Sequence, residues 1–181
     1  MSHSQWEKKK YKKAASEGKT SQIYAKLVKL IIMEAKKANG NRESSGLKAA
    51  INKARAVDMP VDNIERAIKK ATEPGVAEEI FTYEGYGKGG VGFIVEVLTN
   101  NRNKSAQEMK FIFSKNGGAL GAINSVSWAF SRIVTDEGEE WQPQTLVPFS
   151  ESDKKDLESL INDLENNEDV QNVYHNGEGL E

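Results

Sequence analysis

The sequence contains no cysteine, only two histidines and no long apolar run. The absence of cysteine excludes disulfides and thiolate metal sites. The longest apolar stretches, VKLIIM and GFIVEVL, are much shorter than the roughly 20 residues that a membrane-spanning helix needs. The basic N-terminus is not followed by the apolar stretch of a secretory signal. We therefore expect a cytoplasmic protein with no membrane partner.

Groups suited to catalysis or metal binding are equally scarce. His3 lies near the N-terminus and His175 near the C-terminus, and neither has the ligand spacing of a metal site. Nothing in the sequence indicates a Ser–His–Asp arrangement. The acidic stretch Asp136–Glu140 could hold a hard cation, but it is more typical of a solvated hairpin connection. The sequence therefore predicts a protein that is not an enzyme and has no metal and no cofactor.

Two glycine-rich stretches raise the question of phosphate binding. GKGGVGFI, Gly87–Ile94, begins like a phosphate-binding loop, but it has Phe93 and Ile94 where that motif needs Lys and then Ser or Thr. The residues that follow predict a strand instead of the required helix, so the stretch predicts a tight turn between two strands. SKNGGALG, Ser114–Gly121, could offer N–H groups to a phosphate, but a helix C-cap followed by a loop is its more typical role.

The charge is distributed very unevenly along the chain, although the net charge is only −2. Residues 1–72 hold 17 basic and 7 acidic side chains, a net charge of +10. Residues 73–132 hold six of each, and residues 133–181 hold 2 basic and 14 acidic side chains, a net charge of −12. A basic first segment attracts polyanions and an acidic last segment repels them, so a nucleic acid should bind to the first.

The apolar periodicity of the first part predicts three short amphipathic helices, in TSQIYAKLVKLIIMEAKKANG, GLKAAINKARAV and PVDNIERAIKKAT. Three such helices on short loops form a small bundle. We expect a basic segment at residues 1–19, the bundle at 20–72 and a linker at 73–79. The first helix has four lysines on the face opposite its apolar side: Lys26, Lys29, Lys36 and Lys37.

The second part predicts strands and two helices. The strands are IFTYEG, VGFIVEVL, SVSWAFSRI, TLVPF and DVQNVYHN, and the helices are NKSAQEMKFIFSKNGG and SDKKDLESLINDLENN. From Val91 the order is β-α-β-β-α-β, which is the ferredoxin-like arrangement with both helices on one face of an antiparallel sheet, and Ile80–Gly85 forms an extra strand before it. We therefore predict an α+β protein, with this domain at 80–177 and a tail at 178–181. The first of the two helices has four residues available for burial: Ala106, Met109, Phe111 and Phe113.

The N-terminal segment combines six lysines with Trp6 and Tyr11. Lysines neutralise phosphates, and aromatic rings offer faces on which bases stack. A solubilising tail whose Trp6 packs onto the bundle is the alternative. The lysine face of the first helix continues the same charge, which favours nucleic-acid binding.

Several stretches together resemble a known family. In chain order they are SHSQW, KTSQIYAKL, DMPVDNIERAI, YEGYGKGG, LTNNRNKS, FSKNGGALG and QNVYHNGE. They resemble the YebC family, which includes the mitochondrial translational activator of cytochrome c oxidase. The resemblance covers nearly the whole chain in the family's order, and the combination is far more specific than any single stretch.

The resemblance implies a three-helix N-terminal domain, an α+β remainder and a role in gene expression. Members of the family have been labelled transcriptional regulators that bind DNA. They have also been tied to translation, acting at the ribosome on difficult nascent sequences such as proline runs. The residues that match the N-terminal motif are Ser2, His3, Ser4 and Trp6, and the resemblance implies nucleic-acid contacts there.

The sequence departs from the family pattern in three places. Members usually run to about 240 residues and carry an extra α+β domain after the strand that corresponds to SVSWAFSRI. Here Ile133 passes through VTDEGEEW almost directly to QPQTLVPF, which predicts a hairpin in place of the insert. Lys88 replaces the family's usual Pro, which a turn tolerates. Asn124 replaces its usual Gly, which leaves the loop conformation around Ser125 open.

We therefore predict an RNA-binding translation factor that docks on the ribosome and its rRNA through residues 2–37. A DNA-binding transcriptional regulator is the alternative, although Asp62 and Glu65 make the third helix a poor reader of the major groove. A protein partner could bind the acidic C-terminal part in either case. The predicted nucleic-acid-binding residues are Ser2, His3, Ser4, Trp6, Lys8, Lys9, Lys10, Tyr11, Lys12, Lys13, Lys19, Lys26, Lys29, Lys53 and Arg55.

Overall fold

The computed structural model describes residues 19–181. These residues fall into two compact units. The first comprises residues 19–78 together with Ile133–Glu140, and the second comprises Glu79–Arg132 together with Trp141–Glu181.

The first unit contains the three predicted helices. Helix α1 spans Thr20–Lys37, α2 spans Ser45–Ala56 and α3 spans Val61–Lys70. Each has apolar side chains three or four residues apart, so one stripe of each helix faces the others and closes a common core. This confirms the N-terminal three-helix arrangement. The core side chains from the helices are Leu27, Ile31, Ala35, Leu47, Ala50, Ile51, Ala54, Ile64, Ala67 and Ile68.

The second unit is built on a four-stranded antiparallel sheet in the order β3-β1-β2-β6. Its strands are β1 (Glu79–Tyr86), β2 (Gly92–Thr99), β3 (Ala119–Leu120) and, at the end of the chain, β6 (Val170–His175). Between β2 and β3 lies helix α4 (Arg102–Lys115), and before β6 lies helix α5 (Glu151–Asn166). A separate hairpin is formed by β4 (Phe130–Thr135) and β5 (Gly138–Pro143).

The tight turn predicted at the first glycine-rich stretch is confirmed. It joins β1 to β2, and Tyr86 pairs with Gly92 across it. Gly89 and Gly90 both have positive φ, at 72° and 79°, a region that Gly reaches without a Cβ penalty. The eight-residue pairing on either side of this turn places β1 directly beside β2.

The two faces of the sheet bury different side chains, because successive residues of a strand point to opposite faces. On one face, Phe93 and Val95 of β2 pack with Phe113 of α4 and Leu160 of α5, so both helices cover the same face as predicted. On the other face, Ile94 and Tyr174 pack against the segment that includes Val126, Ala129 and Phe130. Strand β2 is therefore apolar at most positions because it is buried on both sides, and Glu96 is its one half-buried residue.

The α+β class is confirmed, but the strands that make the sheet differ from those expected. The extra strand predicted before the β-α-β-β-α-β order is β1, and it lies inside the sheet, between β3 and β2. Within SVSWAFSRI, a turn and a short 3-10 helix at Ser127–Ala129 precede the strand, which begins only at Phe130. TLVPF forms no strand, and only Val147 makes a single bridge, to Gly177.

A hairpin does form here, but its second strand is Gly138–Pro143 and not the predicted TLVPF, and the expectation that Asp136–Glu140 is a solvated connection is wrong. Glu137 and Glu140 are buried, and Glu140 is only 3% exposed. The tip packs within the first unit, where Asn52 Nδ2 donates a hydrogen bond of 2.8 Å to the carbonyl oxygen of Asp136. A Cβ atom placed on Gly138 would lie 3.6 Å from Ala49 Cβ.

Phe111 was expected among the buried residues of its helix, and this expectation is wrong, because its side chain is 67% exposed. The buried stripe of α4 consists of Ser105, Met109 and Phe113, which are four residues apart. Phe111 lies two residues from Phe113, which at 100° per residue places it on the opposite face of the helix.

Candidate nucleic-acid interface

The predicted binding residues divide into a set that the structure describes and a set that it does not. Five of them lie within the described chain: Lys19, Lys26, Lys29, Lys53 and Arg55. The other ten lie outside the described residues, namely Ser2, His3, Ser4, Trp6, Lys8, Lys9, Lys10, Tyr11, Lys12 and Lys13.

The three lysines at the start of α1 are only partly exposed. Lys19 precedes the first turn as its N-cap residue. Lys29 Nζ lies 3.5 Å from Glu78 Oε2, and Lys26 also has an interaction partner. A polyanion that binds Lys29 would have to compete with Glu78, so this side of α1 offers less positive charge than its lysine count suggests.

The two basic residues on α2 differ sharply in exposure. Arg55 is exposed, whereas Lys53 is only 6% exposed and belongs to the buried side of the helix. The sequence predicts Lys53 as a nucleic-acid-binding residue. Its side chain is buried, so a phosphate could not reach its ammonium group without a local rearrangement. Only Arg55 extends the basic surface from this helix.

The predicted binding residues do not include the lysines at the C-terminal ends of α1 and α3. Each of these helices carries two lysines in its last turn, Lys36 and Lys37 in α1 and Lys69 and Lys70 in α3. A Cβ atom placed on Gly75, five residues beyond α3, would lie 3.5 Å from Lys36 Nζ, which places the segment after α3 beside the last turn of α1. Lysines in the last turn of a helix also complement the helix dipole. They are therefore common at this position and do not by themselves indicate a binding site.

The polar side chains of α3 are largely engaged within the bundle. Arg42 donates two hydrogen bonds to the carboxylate of Glu65, one of them 2.8 Å long, and these bonds hold the pKa of Glu65 below its usual value. Arg66 Nη2 donates to Asn63 Oδ1 at 2.7 Å. The side chains that a recognition helix would offer to base edges are therefore already paired with protein groups.

In the second unit, the loop between β3 and β4 is organised by one buried carboxylate. Glu84 is 7% exposed and accepts hydrogen bonds from the backbone N–H groups of Asn124 (2.7 Å), Val126 (3.0 Å) and Ser127 (2.6 Å). Burial raises the pKa of Glu84, but the three donors outweigh it and hold the pKa below its ordinary value. Asn124 has φ of 69°, a region in which Asn is the best tolerated residue after Gly. The loop around Ser125 thus keeps a defined conformation.

Lys88, which stands where the family usually has Pro, has a specific hydrogen-bond partner. Its ammonium donates to Asp156 Oδ2 of α5 at 2.6 Å, and this hydrogen bond raises the pKa of Lys88. The lysine therefore ties the β1–β2 turn to α5. In the second glycine-rich stretch, Gly118 N donates to the carbonyl oxygen of Phe113 at 2.8 Å and Gly117 has φ of 76°, which is the C-cap geometry that the sequence favours.

The described residues form neither a metal-binding cluster nor a helix that could span a membrane. His175 Nδ1 accepts a hydrogen bond of 3.2 Å from the Gly177 N–H, and its ring packs 5.7 Å from that of Phe93. Within residues 19–181, no cluster of three or more His, Cys, Asp or Glu side chains is arranged to hold a metal ion. No helix in that part of the chain is both long and apolar enough to cross a bilayer.

Comparison with known families covers almost the whole chain. Residues 4–74 match the model described as the TACO1/YebC protein N-terminal domain. Residues 77–135 and 132–177 match the model described as the TACO1/YebC second and third domain. The chain belongs to the TACO1/YebC family. The two segments matched by the second model meet at residues 132–135, within the β4–β5 hairpin of this YebC-family chain.

Individual relatives agree with this assignment. A probable transcriptional regulatory protein of Caldanaerobacter subterraneus subsp. tengcongensis is 36% identical over 236 aligned positions, covering 97% of both chains. One from Dictyoglomus turgidum is 42% identical over 163 positions, covering 86% of this chain and 66% of the relative. The crystal structure of a conserved hypothetical protein from Aquifex aeolicus has a TM-score of 0.78 at 28% identity, covering 88% of this chain and 90% of the other.

The alignment with the Caldanaerobacter relative also shows a difference in length. Its 236 positions exceed the 181 residues of this YebC-family chain, so the relative has additional residues that are absent here. The family model breaks at residues 132–135, where the structure has a direct hairpin. The β4–β5 hairpin therefore lies at the junction of the two segments that match the family model.

Proposed function

We propose that this chain is a nucleic-acid-binding regulator of gene expression that acts in translation and binds ribosomal RNA through its basic N-terminal part. The charge distribution is the observation that carries the proposal. A net charge of +10 over residues 1–72 attracts a polyanion, and a net charge of −12 over residues 133–181 orients the chain with its acidic part away from it. The names of the relatives, as regulatory proteins, support the broader class.

The binding surface would combine the N-terminal lysines with the exposed basic residues of the bundle. Lys8, Lys9, Lys10, Lys12 and Lys13 would neutralise phosphates, and Trp6 and Tyr11 would stack on bases or insert between them. Lys19, Lys26, Lys29 and Arg55 would continue this surface, and the exposed Lys37, Lys69 and Lys70 add to it. Ser2, His3 and Ser4 would contribute polar contacts at the very start of the chain.

A DNA-binding transcriptional regulator is the second candidate, and the printed names of the relatives favour it. The state of α3 weighs against sequence-specific reading of a major groove. Glu65 is held by Arg42, and Arg66 by Asn63, so few side chains of this helix are available to base edges. Binding of duplex DNA would then rest on phosphate contacts and would lack sequence specificity.

Charge-reversal variants test the site. Replacement of Lys8, Lys9, Lys12 and Lys13 by Glu should abolish RNA binding while the far-UV circular dichroism and the thermal transition stay unchanged. Each phosphate contact on a single strand adds about 0.7 to the magnitude of the slope of log K against log salt, so replacement of the same four lysines by Gln, which only neutralises them, should lower that magnitude by about 3.

A matched pair of double variants provides the control for net charge. Lys12→Glu with Lys13→Glu and Lys154→Glu with Lys155→Glu make the same change in net charge, in the basic and the acidic part respectively. The first pair should weaken RNA binding strongly and the second should leave it nearly unchanged. Equal effects of the two pairs, or unchanged affinity of the fourfold variant, would refute the assignment of the site.

The acidic C-terminal part could at the same time meet a basic protein partner. Residues 133–181 carry 14 acidic side chains and 2 basic ones. In this reading the two ends of the chain bind different partners, and the RNA contact does not depend on the protein contact.

A further inference from the structure

Helix α4 presents a face to solvent on which an aromatic side chain is surrounded by lysines. We propose that this face, formed by Lys104, Gln107, Lys110, Phe111 and Ser114 and called here the α4 surface, is a second contact for single-stranded RNA. In this contact the Phe111 ring stacks on a base and the lysines neutralise the neighbouring phosphates. The proposal rests on the proposed function only in that the chain binds RNA, since it uses no residue of the N-terminal site.

The exposure of Phe111 is not explained by packing. Its side chain is 67% exposed, while Met109 and Phe113 on the opposite face are completely buried and already complete the contact of α4 with the core. A large apolar ring at this position gains little from folding, because most of its surface remains in water. A ring held on a regular helix is, however, well placed to stack on an unpaired base.

The basic residues of this part of the chain are concentrated on α4. Residues 73–132 are neutral as a whole, with six basic and six acidic side chains, but four of the six basic residues lie on α4. They are Arg102, Lys104, Lys110 and Lys115, and the helix has one acidic residue, Glu108. Glu108 lies 3.7 Å from Lys104 Nζ and accepts a hydrogen bond from Asn167 Nδ2. The helix thus retains a net positive charge of 3.

Contacts with the acidic helix α5 indicate on which side of α4 a polyanion would bind. Lys115 Nζ lies 3.3 Å from Asp163 Oδ2, and Asn116 also donates to Asp163, so this edge of α4 faces α5. Lys110 and Ser114 are exposed and lie on the other side of Phe111, at helical angles turned away from α5. Repulsion by the carboxylates of α5 would therefore direct an RNA strand across Lys110, Phe111 and Ser114.

The chemistry of the α4 surface fits a single strand better than a duplex. In a duplex the bases are stacked and paired, so a protruding ring finds no base face without unstacking a step. In a single strand every base offers a face, and stacking on an aromatic side chain is tolerant of sequence. Gln107 and Ser114 beside the ring can donate to or accept from base edges, phosphates or the ribose 2′-hydroxyl.

Fluorescence anisotropy with a labelled, unstructured RNA of about 12 nucleotides tests the proposal on the full chain. Phe111→Leu keeps an apolar side chain but removes the aromatic face, and we expect about tenfold weaker binding from the loss of one stacked base. Phe111→Trp should retain or strengthen binding. Leu146→Ala, which reduces another exposed apolar side chain, is the control and should leave the affinity unchanged.

The charge component is tested in the same assay with matched neutralisations. Lys110→Gln should lower the salt slope by about 0.7, whereas Lys155→Gln, an exposed lysine on acidic α5, should not change it. These side chains are exposed, so unfolding transitions should match that of the wild type. Ultraviolet crosslinking to the RNA, followed by mass spectrometry, should yield an adduct on the peptide that contains Phe111.

The outcomes separate this inference from the proposed function. If Phe111→Leu and Lys110→Gln bind as the wild type does while the fourfold N-terminal lysine variant loses binding, the α4 surface is refuted and the N-terminal site stands. If the α4 variants lose affinity and the N-terminal variant does not, the N-terminal site is refuted and the α4 surface stands. Absence of any binding to single-stranded RNA refutes the α4 surface, and co-sedimentation with ribosomes then decides the N-terminal site separately.

Discussion

Replacement of the buried Glu84 by Gln should destabilise the second unit strongly. The carboxylate is 7% exposed, and its two oxygens accept three backbone hydrogen bonds from Asn124, Val126 and Ser127. Gln has nearly the same shape, but it has only one acceptor oxygen and no charge. Its amide N–H₂ would face an N–H donor on one side, so at least one buried donor would lose its acceptor.

The expected loss in the free energy of unfolding follows from these three hydrogen bonds. A hydrogen bond to a charged group contributes about 1.5–3 kcal/mol, and an unsatisfied buried donor costs about 1–3 kcal/mol. If Gln keeps two weaker neutral bonds and loses the third, the free energy of unfolding should fall by about 2–4 kcal/mol at pH 7. This is a large fraction of the roughly 5–15 kcal/mol that stabilises a typical domain.

The effect should also depend on pH, with a definite sign. The folded protein holds the pKa of Glu84 below the value of about 4.3 that the unfolded chain has. Its stabilising contribution is therefore fully present above about pH 4.3 and is lost as the pH falls through the folded pKa. Since Gln does not titrate, the difference between the wild type and Glu84→Gln should narrow in acid.

Urea unfolding followed by far-UV circular dichroism measures this difference at several pH values. Glu79→Gln, an exposed position in the same strand, is the matched control and should change the stability by less than about 0.5 kcal/mol. A loss below about 1 kcal/mol for Glu84→Gln at pH 7, or a difference that does not narrow in acid, would refute the assignment of Glu84 as the anchor of the loop.

Five further substitutions at four positions test the packing, each by the shift of the urea midpoint. Gly118→Ala should cost about 1–3 kcal/mol, because the new Cβ would collide with the carbonyl oxygen of Tyr86; a neutral result would contradict that close approach. Phe113→Ala should cost about 3–5 kcal/mol and Phe111→Ala less than about 0.5 kcal/mol, and similar losses for the two would show that Phe111 is buried. Asn124→Val should lower the free energy of unfolding by about 1–2 kcal/mol, whereas Asn124→Gly should leave it nearly unchanged. The reverse order would show that residue 124 does not have a positive φ.

Periodicity was sufficient to predict the helices and the long central strand. The three bundle helices and α5 each have apolar residues at helical spacing, and their buried apolar side chains follow that spacing. Strand β2 is apolar at successive positions, except at Glu96, because both of its faces are covered. The short distance between SVSWAFSRI and TLVPF indicated a hairpin in this region, but its second strand is Gly138–Pro143 and not TLVPF.

The sheet partners could not be read from local patterns, because contacts between distant residues decide them. SVSWAFSRI alternates like a strand, but Glu84 binds the N–H groups of Val126 and Ser127, some forty residues away, and bends the chain before Phe130. The position of β1 in the middle of the sheet is set by its hairpin with β2, which a strand count alone does not reveal.

The sequence predicts the positive charge of the candidate site, but it predicts only partly which side chains are exposed. Lysine runs and aromatic residues are visible in any sequence, but burial is not. Lys53 lies on the buried side of α2, and Phe111 lies on the open face of α4, and both are opposite to the first expectation. Helical angle relative to a confirmed core residue, such as Phe113, would have placed Phe111 correctly.

The central claim is that the basic N-terminal part binds ribosomal RNA in preference to duplex DNA. Co-sedimentation with purified ribosomes across a salt series, beside filter binding to random duplex DNA, tests it most directly. We predict saturable ribosome binding that weakens steeply with salt, together with weak binding to duplex DNA. Tight binding to duplex DNA without any association with ribosomes would contradict the account and would favour the transcriptional alternative.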